Sequence, residues 1–79
     1  MKEWLLRWAV FHEPTKQLTV ALRRGDEFEV CRIVPDGRGR YIQYENTRRG
    51  RVVILECDEE NARELARKYP PAANRGASA

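Results

Sequence analysis

The residue type that could do chemistry in this chain is arginine. Twelve of the fifteen basic residues are arginine, and eight of those twelve fall between positions 23 and 51, against five acids. Seven of the eight gather where the chain reads as turns: Arg23 and Arg24 before Gly25, Arg38 and Arg40 around Gly39, and Arg48, Arg49 and Arg51 around Gly50. A guanidinium is planar, permanently charged and built to grip phosphate or carboxylate through two parallel hydrogen bonds. The flanking segments are nearly neutral, +1 before residue 23 and −1 after residue 51, so the net charge of +3 belongs to the middle of the chain.

Catalytic and metal chemistry find little footing. The single histidine, His12, has no Ser, Cys or Asp at a recognisable motif spacing. Asp58, Glu59 and Glu60 read as the carboxylates that open a helix, where they meet the positive end of its dipole. Gly37 and Gly39 lead into a strand, whereas a phosphate-cradling glycine loop opens a helix. Cys31 and Cys57 form neither a C-x-x-C pair nor a zinc-ligand spacing and read as two packed thiols of a reducing compartment. The expectation is a cytoplasmic protein that is not an enzyme and uses no metal or cofactor. No apolar run approaches the roughly 20 residues of a membrane helix, and residues 1–10 lack the pattern of a signal peptide.

Seventy-nine residues make one domain. Residues 2–12 fit a helical stripe (Trp4, Leu5, Trp8, Phe11) and a strand face (Trp4, Leu6, Trp8, Val10) equally well. The turn signal Glu13-Pro14-Thr15-Lys16 and the alternating Leu18, Val20 and Leu22 beyond it favour a hairpin. Gly25-Asp26 turns the chain into a third strand ending before Pro35; residues 40–46 and 51–57 supply two more. Asp58 is a good N-cap, and Ala62, Leu65, Ala66 and Tyr69 give the following helix one apolar face. Glu59/Arg63 and Glu64/Lys68 are spaced as i,i+4 ion pairs. Pro70-Pro71 stops the helix. The expected fold is α+β: an antiparallel β-meander of about five strands with one C-terminal helix packed on one face, over residues 1–69, followed by a disordered tail, 70–79.

In a meander, alternate turns share one end of the sheet. Arg23 and Arg24 are therefore expected about 10 Å from Arg48, Arg49 and Arg51, with Arg38 and Arg40 at the opposite end. Such a pole has two readings: solvated turn charges that discourage aggregation, or a site for a phosphate backbone or an acidic protein. Alternation places Phe28, Val30, Ile42 and Tyr44 under the helix, and Tyr41 on the open face with several glutamates.

Residues 26–69 also resemble a PUR repeat, the ββββα module of whirly-like single-strand nucleic-acid binders. The likeness rests on Phe28-Glu29-Val30, on Arg38-Gly39-Arg40-Tyr41-Ile42-Gln43-Tyr44, which is similar to that family's R-G-R-F-L-K-I, and on the Arg-led apolar strand that runs into an acidic helix start. Gln43 stands where the family tends to carry lysine, and the strand with Trp4 and Trp8 lies outside the pattern. The resemblance implies binding of single-stranded DNA or RNA through basic and aromatic strand residues, in a dimer of two such repeats.

Two functions follow as expectations. The first is a small nucleic-acid-binding domain, a homodimer in which Arg23, Arg24, Arg48, Arg49 and Arg51 hold phosphates, Arg38 and Arg40 assist, and Tyr41 stacks on a base. The second is a protein-interaction module, such as a phage- or mobile-element-type inhibitor or adaptor docking on a nucleic-acid-processing complex. Trp4, Trp8 and Phe11 would be its contact residues.

Overall fold

The computed structural model describes residues 3–71. Five strands precede one helix: β1 (Leu5–His12), β2 (Gln17–Arg24), β3 (Glu27–Ile33), β4 (Arg40–Thr47), β5 (Gly50–Asp58) and α1 (Glu59–Lys68). The expected α+β order holds, and every paired strand is antiparallel. The ladder is interrupted once. Strands β1-β2-β3 form one sheet and β4-β5 a separate hairpin, because the chain between β3 and β4 turns away at Pro35-Asp36-Gly37, where proline has no amide to donate. Asp36 stabilises that corner by accepting from the Arg40 and Arg38 amides at 2.9 and 2.8 Å, which hold its carboxyl below the usual range.

The helix and the hairpin cover one face of the three-stranded sheet. The core comprises Ala9, Leu18, Val20, Leu22, Ile33, Tyr41 and Ala62. The middle strand contributes three of these in strict alternation, which fixes its inward face. Tyr41 is the only large side chain the hairpin buries completely. Its hydroxyl donates to the Lys16 carbonyl at 2.6 Å, and its ring meets Phe11 edge-on at 6.0 Å. That carbonyl belongs to a tight turn in which Lys16 itself takes a left-handed φ of 60°.

The expected facing of β3 and β4 is reversed. Cys31 and Ile33 point inward, while Phe28 and Val30 are each 55% exposed. On the hairpin, Tyr41 is inward and Tyr44 outward. Two irregularities shift the pairing, one leaving Arg7 as the extra residue of β1 and one leaving Ile54 as the extra residue of β5, so simple alternation is broken in those two strands and intact in β3 and β4.

The helix begins as expected, with the Asp58 carboxylate accepting from the Asn61 amide at 2.9 Å. At its other end the Tyr69 amide donates to Leu65 at 2.9 Å, and the Tyr69 carbonyl accepts from the Ala9 amide at 2.7 Å, fastening the helix to β1. Glu59–Arg63 forms at 2.6 Å. Glu64 pairs with Arg67 rather than with Lys68. No helix among the described residues is long and apolar enough to cross a membrane. Of the expected tail, 70–79, residues 72–79 lie outside the described residues.

Two measurements check this packing. Tyr41→Phe should cost about 1 kcal/mol in denaturant unfolding, the worth of one hydrogen bond; Tyr41→Ala should cost about 3–5 kcal/mol, because it leaves a cavity where the hairpin is anchored. The second concerns Glu13, whose bond to Arg63 at 2.7 Å joins the β1–β2 turn to the helix. That guanidinium lowers the Glu13 carboxyl from 4.5 to about 2. A depressed carboxyl contributes stability above its unfolded value and loses it as pH falls toward the folded value. The thermal midpoint should therefore decline between these two values, and Glu13→Gln should flatten the decline. An identical pH profile for both proteins would contradict the assignment.

Candidate functional site

The β4–β5 hairpin is a two-stranded arm whose tip is Arg48 and Arg49. Thr47 shapes the tip: its hydroxyl donates to the Gly50 carbonyl at 2.7 Å and accepts from the Arg49 amide at 3.1 Å. Gly50 takes a φ of 114°, a region that L side chains rarely adopt. Both arginines are exposed. One pair back, Arg51 lies opposite Asn46, and its guanidinium sits 4.5 Å above the Tyr44 ring. A cation over an aromatic face is held by the ring quadrupole, leaving this guanidinium charged and presented on the outer side of the arm.

The expected grouping of arginines is met in part. The β2–β3 turn does lie beside the distal half of β4, since Arg24 reaches Glu45 at 2.8 Å. That contact also withdraws Arg24 from the pole. It bonds Glu27 at 3.0 Å and stands 4.5 Å over the Trp4 ring, so its charge is already answered. Arg23 stays exposed at the same end, its Nε donating to the Gly25 carbonyl at 3.0 Å. At the other end Arg40 is paired with Glu56 at 2.6 Å, while Arg38 is exposed. Tyr41 is no stacking residue: it is wholly buried, and Tyr44 is the aromatic that the arm exposes. Of the three aromatics expected to meet a protein partner, Trp4 and Phe11 pack against the core. Trp8 lies on the opposite face of β1, half-buried.

Charge is sorted by side. Among the described residues, ion pairs engage Lys16, Arg24, Arg40, Arg63 and Arg67. None of them engages Arg48, Arg49 or Arg51 at the tip, nor Arg7, Arg23 or Arg32 on the three-stranded sheet. Asp26, in the turn that follows Arg23 and Arg24, is the exposed acid at the same end. A shallow cleft of about 340 Å³ between the arm and the start of β1 is lined by Trp4, Val52, Val53 and Ile54, with Glu3, Arg24 and Glu45 at its rim. Two carboxylates against one already paired guanidinium make this cleft unfavourable for an anion.

His12 uses its Nδ1 on the Thr15 hydroxyl at 2.8 Å, a contact within the turn. Cys31 and Cys57 are unpaired thiols, and burial pushes both above the ordinary thiol range, which suppresses the reactive thiolate. No group of His, Cys, Asp and Glu among the described residues is arranged to hold a metal ion.

Sequence alternation missed the Arg51–Tyr44 stack and the outward aspect of Arg32, Phe28 and Val30. The signal was present in the turn. With Gly25-Asp26 as the loop, Arg24 pairs with Glu27, and counting back sets Cys31 and Ile33 beside the inward Val20 and Leu18. Comparison with family models, with curated proteins and with solved structures finds no match for this chain.

Proposed function

We propose that this protein is a small non-enzymatic nucleic-acid-binding domain whose hairpin arm holds the phosphates of a single strand. One observation carries the reading: among the described residues seven arginines have no carboxylate partner, of which Arg48, Arg49 and Arg51 stand together at the tip of the two-stranded arm, with Arg23 exposed at the same end of the molecule. Surface arginines that served only solubility would be expected to intermix with acids, as they do along the helix. The similarity of residues 26–69 to a PUR repeat points the same way, with Tyr44 taking the aromatic role expected of Tyr41. A reducing cytoplasm suits the two free thiols.

The working unit in this reading is a homodimer. Among the described residues no strand lies beside the outer edge of β3, and such an edge recruits another. The chain is also thin, 44 × 33 × 15 Å, with a small core for its length. Light scattering at micromolar concentration should give twice the mass of one chain; a single-chain mass throughout that range would remove the dimer from the proposal.

Binding should be strongly salt-dependent. Four neutralised phosphates at about −0.7 each give a log–log slope of about −2.8. Changing Arg48 and Arg49 together to glutamate removes two contacts and adds repulsion, so affinity should fall at least tenfold and the slope should flatten toward about half. Thermal stability should barely move, since both side chains are exposed. Unchanged affinity in the folded double variant would show that the tip is not the site. Absence of salt-sensitive binding to any oligonucleotide would turn the reading to a protein partner.

A further inference from the structure

The face of the three-stranded sheet turned away from the helix and hairpin has no described element over it. Register shows what it carries. Cross-strand partners share a face, so the rows running from β1 through β2 to β3 are Leu5–Arg23–Phe28, Trp8–Ala21–Val30 and Val10–Thr19–Arg32. Arg7 sits in the irregularity beside Trp8 and is exposed. Phe28 and Val30 are more than half exposed, while Ala21, the small residue at the centre, is fully covered by its larger neighbours. Both carboxylates of these strands, Glu27 and Glu29, fall on the opposite face, paired in register with Arg24 and Leu22. The uncovered face is therefore aromatic, aliphatic and basic, and carries no acid.

We propose that this face is a base-stacking platform, on which Trp8 and Phe28 each receive a base of a single strand while Arg7, Arg23 and Arg32 hold the phosphates between. The proposal rests on the nucleic-acid reading above and extends it from the arm to a second surface, with Arg23 lying where the two meet. Charge decides the occupant. A second copy laid face to face would bring two sets of guanidiniums together without an acid to answer them, so the cover must be anionic. Shape narrows it further. The face alternates flat apolar groups with cations, as an unpaired strand alternates bases with phosphates, and every base has a π-face to stack. A duplex keeps its bases stacked on one another and would offer only its backbone. Trp8 and Phe28 lie two strands and one pleat apart, about 12 Å, which suits two separate bases better than one base clamped between them.

The test uses the full chain and three labelled probes of equal length, about 12 nucleotides: a thymidine strand, the same strand with abasic sites throughout, and a duplex. Wild type should bind the thymidine strand best. Phe28→Ala should weaken that binding about tenfold, the loss of one stacked base, and leave the abasic strand unchanged. Trp8→Ala should do the same, and Phe28→Tyr should restore the affinity. Equal binding of the thymidine and abasic strands by wild type would overturn the platform, as would a Phe28→Ala loss shared by both probes. If both aromatic variants bind like wild type while the Arg48/Arg49 variant fails, the arm acts alone: the platform is wrong and the nucleic-acid reading stands. If wild type binds none of the probes, that reading itself fails, and the exposed apolar rows belong to a protein partner.

Discussion

The architecture depends on one side chain crossing a gap in the hydrogen-bond ladder. Between β3 and β4 no strand pairing holds the hairpin to the sheet, so side chains must do it. Tyr41 is the largest fully buried side chain among the described residues, and it spans from the hairpin to the β1–β2 turn. At the distal half of the arm the corresponding link is polar, Arg24 to Glu45 with Trp4 beneath. The arm is thus anchored by packing at its base and by charge further along. Its tip is left to solvent, as the proposed phosphate contacts require.

The second constraint is the sorting of charge. Glu13, Glu27, Glu45, Glu56, Glu59 and Glu64 all take part in ion pairs. Exposed pairs of this kind contribute little to stability, and their effect here is better seen in what they remove. Each engaged acid is one that cannot dampen the positive potential at the arm tip or over the uncovered face. Two surfaces of unanswered arginine result from a chain whose net charge is only +3, so the total understates the local field.

How much of this was legible in the sequence follows from which signals are local. The helix was readable to its N-cap because Asp58, Glu59 and Glu60 act on amides a few residues away. The strands were readable from turn residues and alternation. Facing was not readable strand by strand: Phe28-Glu29-Val30 alternates as convincingly outward as inward, and only pairing with β2, whose Leu18, Val20 and Leu22 are all buried, settles it. Tyr41 was misplaced for a related reason. Simple alternation already puts Tyr41 and Tyr44 on opposite faces of β4, and with no ladder between β3 and β4 nothing local says which of the two faces meets the core. The arginine pole was legible as a set of turns. That Arg24 would be withdrawn from it depends on Glu45, distant in sequence, and on Trp4, which precedes β1.

The small core and the uncovered face belong to the same compromise. Covering the second face with another helix would bury Phe28, Val30 and Val10, each worth roughly 1.5–3 kcal/mol when fully buried. It would also require Arg7, Arg23 and Arg32 to lose water without acids beside them, and an unpaired buried charge costs several kcal/mol. The three arginines therefore bar an ordinary hydrophobic cover as firmly as the apolar rows invite one. A cover that brings its own negative charge, spaced between apolar groups, satisfies both, as the proposed single strand would. On the proposed reading, the conflict between apolar exposure and positive charge on one face acts as a specificity device: it leaves the face open in the free protein and restricts what can close it.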